Sequence, residues 1–303
     1  MNSNLLVLAI IFVKCIYLES AYIANGYLNA VLLQYTYGYS TFLSSLTLNY
    51  ESISTIDPNT FFKYNSLVSL NLAHNQINKS INFLSILTNL TTLDLSYNQI
   101  QSIDASIFIN MSSLNVLNLC NNQISSIDVN AFQSLTNLQS LFLTFNKLGK
   151  INPRLINRLT SLRILSLASN QLTSIDPQTF QGLVNLTVLY LTGNSLTTFD
   201  PTVFNGLTNL LKLFLQLNQI NAIPTNLFRD LGNLISLHLE FNSLTVIDSG
   251  TFKGLVNVQQ IYLNDNKIYA CGDVFYPFTK LVVLDMRNNP VGFTSFFNTQ
   301  ILM

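Results

Sequence analysis

Few side chains in this sequence could carry out acid–base, nucleophilic or metal chemistry. The chain has two histidines and three cysteines: His74, His238, Cys15, Cys120 and Cys271. A histidine can act as a general base or a zinc ligand only with suitable partners within bonding distance. Glu240 lies on the same predicted strand face as His238 but no nucleophile is nearby, so we interpret the two as a solvated surface pair. The sequence also lacks a phosphate-binding loop, a Cys-x-x-Cys pair and a His-Glu-x-x-His motif, and we therefore expect no enzyme, cofactor or metal site.

The charge content argues against partners that are held by electrostatic attraction. Charged residues make up 9% of the chain, against about 25% in an average soluble protein. The 14 basic and 14 acidic residues balance, and no run of lysine or arginine forms a positive stripe. Nucleic acid and anionic membranes both require such a stripe, so we predict neither as a partner.

The pattern L-x-x-L-x-L-x-x-N-x-L at residues 138–148 recurs along most of the chain. Successive copies are separated by 23 or 24 residues, which indicates a repeat protein with one continuous core. The second and third leucines alternate with other residues, as they would on one face of a short strand. The asparagine amide can donate to and accept from backbone groups at the turn that follows. This structural column of asparagines consists of Asn75, Asn98, Asn122, Asn146, Asn170, Asn194, Asn218, Asn242, Asn266 and Asn289.

The return half of each repeat carries a large apolar residue ten positions after the asparagine. We expect these side chains to stack as a spine inside the core. The spine consists of Phe61, Phe108, Phe132, Ile156, Phe180, Phe204, Phe228 and Phe252. The repeat that follows Asn75 lacks this residue, and Phe83 and Leu84 are expected to fill its place.

These motifs resemble the typical, 24-residue class of extracellular leucine-rich repeat proteins, such as the ectodomains of Toll-like receptors and small matrix proteoglycans. The resemblance covers residues 43 to about 291. It implies an α/β solenoid: a leucine-rich repeat horseshoe with a concave parallel β-sheet and an irregular or short-helical convex side. It implies little about function, because the family's members bind very different partners on one scaffold. The cysteine-rich caps that often flank such ectodomains are absent from this sequence.

We predict four segments. Residues 1–21 contain an apolar run that suits a secretory signal peptide, although an apolar N-terminal strand is the alternative. Residues 22–41 would cap the array with an edge strand, and residues 42–291 would form about 11 repeats. Residues 292–303 would be a C-terminal tail or improvised cap, or else the chain is a truncated product of a longer gene. No segment is predicted to span a membrane, because every later apolar run is broken at the repeat spacing.

The cysteines are not expected to form a disulfide within the chain. Removal of a leader would remove Cys15, and Cys120 and Cys271 lie six repeats apart. At about 4.8 Å per strand this separation is on the order of 30 Å, whereas a disulfide tolerates roughly 7 Å between Cα atoms. Cys271 is therefore either free or able to join two chains.

Four Asn-x-Ser/Thr sequons could be glycosylated in a secreted protein. Asn78 and Asn110 fall on return loops and are the better candidates. Asn89 and Asn185 precede the first leucine of a repeat, and we expect them to be less accessible.

Large aromatic residues occupy exposed strand positions in the later repeats. Such residues are concentrated at protein interfaces, although cross-strand stacking that merely stabilises the sheet is the alternative. The predicted binding residues are Phe142, Phe145, Tyr190, Phe214, Leu217, His238, Phe241 and Tyr262, surrounded by Lys212, Glu240, Asp265 and Arg287.

The sequence therefore predicts a secreted recognition or receptor-like module that binds a protein or another macromolecule on its concave face. One alternative is a matrix or adhesion component that self-associates. Another is an intracellular repeat scaffold, in which case the N-terminal segment is not cleaved.

Overall fold

The computed structural model describes residues 26–37, 43–78, 81–291 and 301–302, which belong to two compact units divided after Leu135. The predicted signal peptide at residues 1–21 lies outside the described residues, as does most of the C-terminal tail. Within each unit, the recurring leucines produce short parallel strands joined by longer return segments. This is the expected leucine-rich repeat solenoid, and the fold prediction is confirmed.

The first unit contains one parallel sheet on the strand side. Equivalent leucines lie opposite one another in register, as Leu46 does with Leu70 and Leu93 with Leu117. The sheet consists, in order, of β2 (Ser45–Thr47), β4 (Ser69–Asn71), β5 (Thr92–Asp94) and β7 (Val116–Asn118). On the return side there are two smaller parallel pairs. They are β1 (Tyr27–Leu28) with β3 (Thr55–Ile56), and β6 (Ser102–Ile103) with β8 (Ser126–Ile127).

The second unit continues the same construction with the strands of later repeats. Leu141, Leu165, Leu189, Leu213 and Leu237 occupy matching positions. The strands are β9 (Ser140–Phe142), β10 (Ile164–Ser166), β11 (Val188–Tyr190), β12 (Lys212–Phe214), β13 (Ser236–His238), β14 (Gln260–Tyr262), β15 (Val283–Asp285) and β16 (Ile301–Leu302).

The two ends of the array are completed by short elements. Strand β16 pairs in parallel with β15, so the end of the tail occupies the position that a further repeat would take. At the other end, the segment predicted as a capping strand contains β1, but most of its described residues form helix α1 (Ala30–Tyr37). Asn29 caps this helix, because its side-chain oxygen accepts from the Leu32 N–H at 3.0 Å. The sequence pattern had not predicted the helix.

The core of each unit has a leucine layer behind the strands and a phenylalanine spine on the return side. The spine residues are fully buried, and the rings of Phe180, Phe204, Phe228 and Phe252 follow one another with centroids 6.1–6.4 Å apart. Ile156 takes the spine position on helix α2 (Pro153–Ile156), which begins with a proline and is capped by the Asn152 side chain. In the short repeat, a 3₁₀ helix (Asn82–Ile86) buries Phe83 and Leu84.

The consensus asparagines satisfy backbone groups that the turn would otherwise bury without partners. The amide nitrogen of Asn170 donates to the carbonyl oxygen of Leu143 in the preceding repeat at 2.9 Å, and to that of Leu167 in its own repeat at 3.1 Å. Its side-chain oxygen accepts from the Leu148 N–H at 3.0 Å. The same arrangement recurs at Asn98, Asn194 and Asn242, so each of these asparagines joins two neighbouring repeats.

Candidate functional site

Four aromatic side chains form a continuous stack on the solvent-facing side of the strands in the second unit, here termed the open face. The centroids of Tyr190 and Phe214 are 4.5 Å apart, those of Phe214 and His238 4.6 Å, and those of His238 and Tyr262 4.5 Å. All three pairs are nearly parallel, with interplanar angles of 8–23°. The sequence analysis predicted these four residues, and the structure brings them together.

The repeat itself determines the position of the rings. In β12, Leu213 points into the core while the side chains of Lys212 and Phe214 lie on the open face, because alternate strand residues point to opposite sides. The exact register then places Phe214 opposite Tyr190 on one side and His238 on the other. The rings are half-buried, since stacking covers their faces and leaves their edges to solvent.

The earlier part of the predicted surface is separate from this stack. Phe142 lies opposite Ser166, and Ser166 lies opposite Tyr190, so a small hydroxyl residue interrupts the column between the rings. The Ser166 hydroxyl is 2.6 Å from that of Thr144. Phe142 is half-buried and Phe145 is 57% exposed, but neither belongs to the four-ring stack.

His238 is held in the stack by polar contacts at both ring nitrogens. Its Nδ1 lies 3.2 Å from a carboxylate oxygen of Glu240, and its Nε2 lies 3.0 Å from the hydroxyl of Ser236. Ser236 in turn donates to the side-chain oxygen of Gln260 at 3.1 Å. The predicted solvated pair is therefore partly buried and orients the ring, which makes it part of the platform rather than a loose surface pair.

The other predicted charged residues have different surroundings. Both carboxylate oxygens of the buried Asp285 accept from the Arg287 side chain, and this bond holds the pKa of Asp285 below its usual range. The same carboxylate raises the pKa of Arg287. Asp265 accepts from the amides of Asn264 and Asn288, each at 2.7 Å. Lys212 is exposed and has no partner in the part of the chain that the structure describes, so it is the charge most available to a ligand.

The residue immediately before each consensus asparagine has a left-handed backbone, as does Tyr50 at the equivalent position before Glu51. Its φ lies between 50° and 66°, because the chain turns off the strand at this point. Glycine and asparagine adopt this conformation most readily, while for other residues its conformational free energy is less favourable by roughly 1–2 kcal/mol. The column consists of Tyr50, His74, Tyr97, Asn121, Phe145, Ser169, Gly193, Leu217, Phe241, Asp265 and Asn288. Large side chains therefore occupy six strained positions, and Phe145, Leu217 and Phe241 are 49–57% exposed.

One part of this column forms an aromatic stack that was not predicted from the sequence. In the first unit, Tyr50, His74 and Tyr97 form a second aromatic stack, with centroid distances of 4.2 and 4.0 Å. Its signal was present in the sequence, since the column that supplied Phe145, Leu217 and Phe241 also contains these three residues. The predicted binding surface follows the column between the leucines, and that column is polar in the early repeats.

All four sequon asparagines are exposed. The amide nitrogens of Asn89 and Asn185 donate to carbonyl oxygens of the preceding repeat at 2.8 and 2.9 Å, whereas that of Asn110 makes a long bond of 3.4 Å to Ser85. Asn78 is exposed at the end of a described segment. Exposure therefore does not separate the two classes of sequon, although the bonds of Asn89 and Asn185 are shorter than that of Asn110.

Cys120 and Cys271 are both half-buried, and neither forms a disulfide within the described residues. Burial raises the pKa of the Cys271 thiol.

Two family descriptions match the sequence. The description "Leucine rich repeat" matches residues 88–148, 136–196, 184–244 and 232–291, and "Leucine Rich repeats (2 copies)" matches residues 65–110. Together the first four matches span more than half of the chain. This chain belongs to the leucine-rich repeat family. No curated protein matches it.

Several solved structures share the leucine-rich repeat fold of this chain. TLR13, in a complex with ssRNA13, is 31% identical with a TM-score of 0.78, and the match covers 86% of this chain and 37% of TLR13. A chain of the LRIM1/APL1C complex is 23% identical with a TM-score of 0.67, covering 91% of this chain and 52% of that one. A chain of the Drosophila Toll–Spatzle complex is 19% identical with a TM-score of 0.59, covering 80% and 41%.

This leucine-rich repeat chain thus spans between 37% and 52% of the length of these three structures. The two matches below 25% identity show the fold alone. The match to TLR13 supports a receptor-like interaction module, and because TLR13 is in complex with RNA, it gives no support to the predicted exclusion of nucleic acid. No helix in the described ranges is long and apolar enough to cross a membrane.

Proposed function

We propose that this leucine-rich repeat protein is an extracellular recognition module that binds a protein partner on the open face of its second unit. The observation that carries the proposal is the stack of Tyr190, Phe214, His238 and Tyr262. These rings are fixed by strand register and by the His238–Glu240 contact, so little side-chain entropy is lost when a partner binds.

The exposed side chains beside the stack support binding over a purely stabilising role. Leu217 and Phe241 follow the strands of Phe214 and His238, and both occupy left-handed positions while about half of each side chain remains in water. The left-handed backbone is unfavourable for these side chains, and little of their apolar surface is buried. Backbone strain that local packing does not offset is typical of functional surfaces.

The charges favour a protein over a nucleic acid. Lys212 is the exposed cation of the patch without an ionic partner, while Arg287 is engaged by Asp285 and the open face also carries Glu240. A phosphate backbone requires several cations in a row. Salt titration distinguishes the two classes of partner: nucleic-acid binding would weaken steeply with salt, and the expected protein complex would weaken only slightly.

The proposal is tested by replacing Phe214, Phe241 and Tyr262 with alanine in the full chain. Proteins captured from the extracellular fluid by the wild type are identified, purified and measured directly by surface plasmon resonance. We expect the triple variant to bind the purified partner at least about 100-fold more weakly, because central aromatic residues are typical hot spots.

The matched control replaces Val256 and Tyr269, which are 70% and 64% exposed and lie outside the stack. This control should bind as the wild type does. Unchanged affinity in the triple variant, with an intact fold by circular dichroism, would place the partner site elsewhere.

A further inference from the structure

The second aromatic stack, here termed the ridge, consists of Tyr50, His74 and Tyr97 in the first unit. All three residues have a left-handed backbone, and Tyr50 and Tyr97 are 68% and 49% exposed. As at Phe241, the chain places rings where asparagine or glycine would be less strained, and burial does not compensate. The ridge therefore combines a strained backbone with exposed aromatic rings, as the open face of the second unit does, but it involves different residues.

Toward the later repeats the ridge ends at Tyr97, whose ring, within the part of the chain that the structure describes, stacks on an aromatic ring on one side only. His74 covers one face of Tyr97, whereas the next residue in the column is Asn121, which has no ring. Among the described residues, no aromatic ring stacks on the other face of Tyr97. A flat ligand ring could extend the stack here by one step, above Asn121.

Uncharged amides surround this free ring face. An open hollow of about 490 Å³ is lined by the three rings together with Ser52, Gln76, Gln99 and Asn121, and none of its lining residues is a lysine, arginine, aspartate or glutamate. The Gln76 and Gln99 side chains are exposed, while their backbone N–H groups are fixed by bonds to Ile53 and Ile77. Each amide can donate to and accept from a ligand at the same time.

We propose that the ridge is a second binding site, for a neutral carbohydrate. The apolar C–H face of a pyranose ring would lie on the free face of Tyr97, and its hydroxyl groups would bond to the amides of Gln99 and Asn121. A nucleobase could stack in the same way, but the lining offers no lysine or arginine for the phosphate that accompanies it. Sulfated or carboxylated sugars are disfavoured for the same reason.

The probes for this site are the neutral oligosaccharides cellohexaose, chitohexaose and mannohexaose, with oligouridine and a heparin hexasaccharide as charged comparisons. Binding to the full chain is measured by isothermal titration calorimetry. We expect at least one neutral probe to bind and both charged probes to bind more weakly than it. Tyr97→Ala should lower the affinity for the neutral probe at least about 10-fold, which corresponds to the loss of one good stacking contact.

Three further variants separate a role in binding from a role in folding. Tyr97→Phe keeps the ring and should lower affinity less than about 3-fold, while Gln99→Ala leaves the stack intact and should also weaken binding. Tyr269→Ala, at an exposed tyrosine of the second unit, should have no effect.

Failure of all three neutral probes to bind would overturn the proposal, as would binding that survives both Tyr97→Ala and Gln99→Ala. Tyr97-dependent binding of oligouridine in preference to the sugars would assign the ridge to nucleic acid instead. If Tyr97→Ala impaired capture of a protein partner while no sugar bound, the ridge would be a protein interface and the carbohydrate assignment would be wrong.

Discussion

Each consensus asparagine acts as a substitute for missing backbone hydrogen bonds. At Asn170, one side chain satisfies the carbonyl oxygen of Leu143 and the N–H of Leu148, both of which are buried. No other common residue of this size both donates and accepts in this way, except a glutamine with a longer and less ordered stem. The column therefore tolerates little change, even though none of its members needs to contact a ligand.

Asn170→Ala should lower the free energy of unfolding by about 1–3 kcal/mol, because it leaves the buried N–H of Leu148 without its partner, whereas the carbonyl oxygen of Leu143 still accepts from Asn146 at 3.1 Å. The measurement is urea denaturation followed by circular dichroism. Asn209→Ala provides the matched control: its amide also donates to a carbonyl oxygen of the preceding repeat, that of Val184 at 2.8 Å, but in an exposed position. The control should cost less than about 1 kcal/mol, since water can replace the lost partner; equal losses would contradict the structural account of the column.

The left-handed positions allow stability and binding to be separated at a single residue. Phe241→Asn should raise the free energy of unfolding by up to about 1 kcal/mol, because asparagine adopts a left-handed backbone with less strain than phenylalanine. The same substitution should weaken capture of the protein partner. Denaturation midpoints and binding are measured on the same samples, with Tyr269→Asn, at an exposed site without a positive φ, as the control. A large loss of stability in Phe241→Asn would show that the ring is held for packing rather than for binding.

Strand register is what turns separate side chains into a surface at the scale of the element. Each strand of the open face is only three residues long, yet the parallel ladder places the same position of each repeat directly opposite its neighbour. An isolated aromatic at position 214 would be one exposed ring. With Tyr190 and His238 within 4.6 Å on either side, it becomes part of a rigid platform.

Strand β15 ends in an ion pair that should make the end of the array sensitive to acid. Because the Arg287 bond lowers the pKa of Asp285 in the folded chain, the pair contributes stability that is fully present above the unfolded-state pKa of about 4. This contribution is lost as the pH falls through the lower, folded-state pKa. We expect Arg287→Met to destabilise the chain at pH 7, and we expect this effect to diminish as the pH falls below the unfolded-state pKa and through the folded-state pKa. Thermal unfolding of both proteins across this range provides the measurement, and a difference that persists undiminished in acid would contradict the assignment.

At the scale of the whole molecule, the proposed extracellular role depends on features spread along the chain. We expect expression in a secretory cell to yield protein that lacks residues 1–21 and that shifts in mass on treatment with an N-glycosidase. Mass spectrometry should find higher occupancy at Asn78 and Asn110 than at Asn89 and Asn185, whose amide nitrogens are held by the preceding repeat. Retention of Met1 with no glycan at any sequon would exclude secretion, and would leave an intracellular scaffold as the function to be tested.

Most of the fold could be predicted from the sequence because it is repetitive. A single repeat defines the buried leucines, the asparagine turn and the spine, and its recurrence at 23 or 24 residues leaves one way to stack the units. The structure differs from the sequence prediction where the repeat pattern is absent or irregular. Helix α1 has no repeat to follow, and in the short repeat the sequence predicted that Phe83 and Leu84 would fill the core but not that a 3₁₀ helix would carry them.

The sequence by itself determined which residues could form the open face, since residues at one repeat position must become neighbours in a parallel sheet. Only the tertiary structure decided how those residues are used. It separated Phe142 from the four-ring stack, bound Arg287 to Asp285, and showed that the column before the asparagine is left-handed in every repeat, including at Tyr50, His74 and Tyr97. The physical reason is that repeat spacing fixes the position of Cα atoms, whereas ring orientation, ion pairing and the sign of φ depend on side chains and backbone bonds contributed by neighbouring repeats.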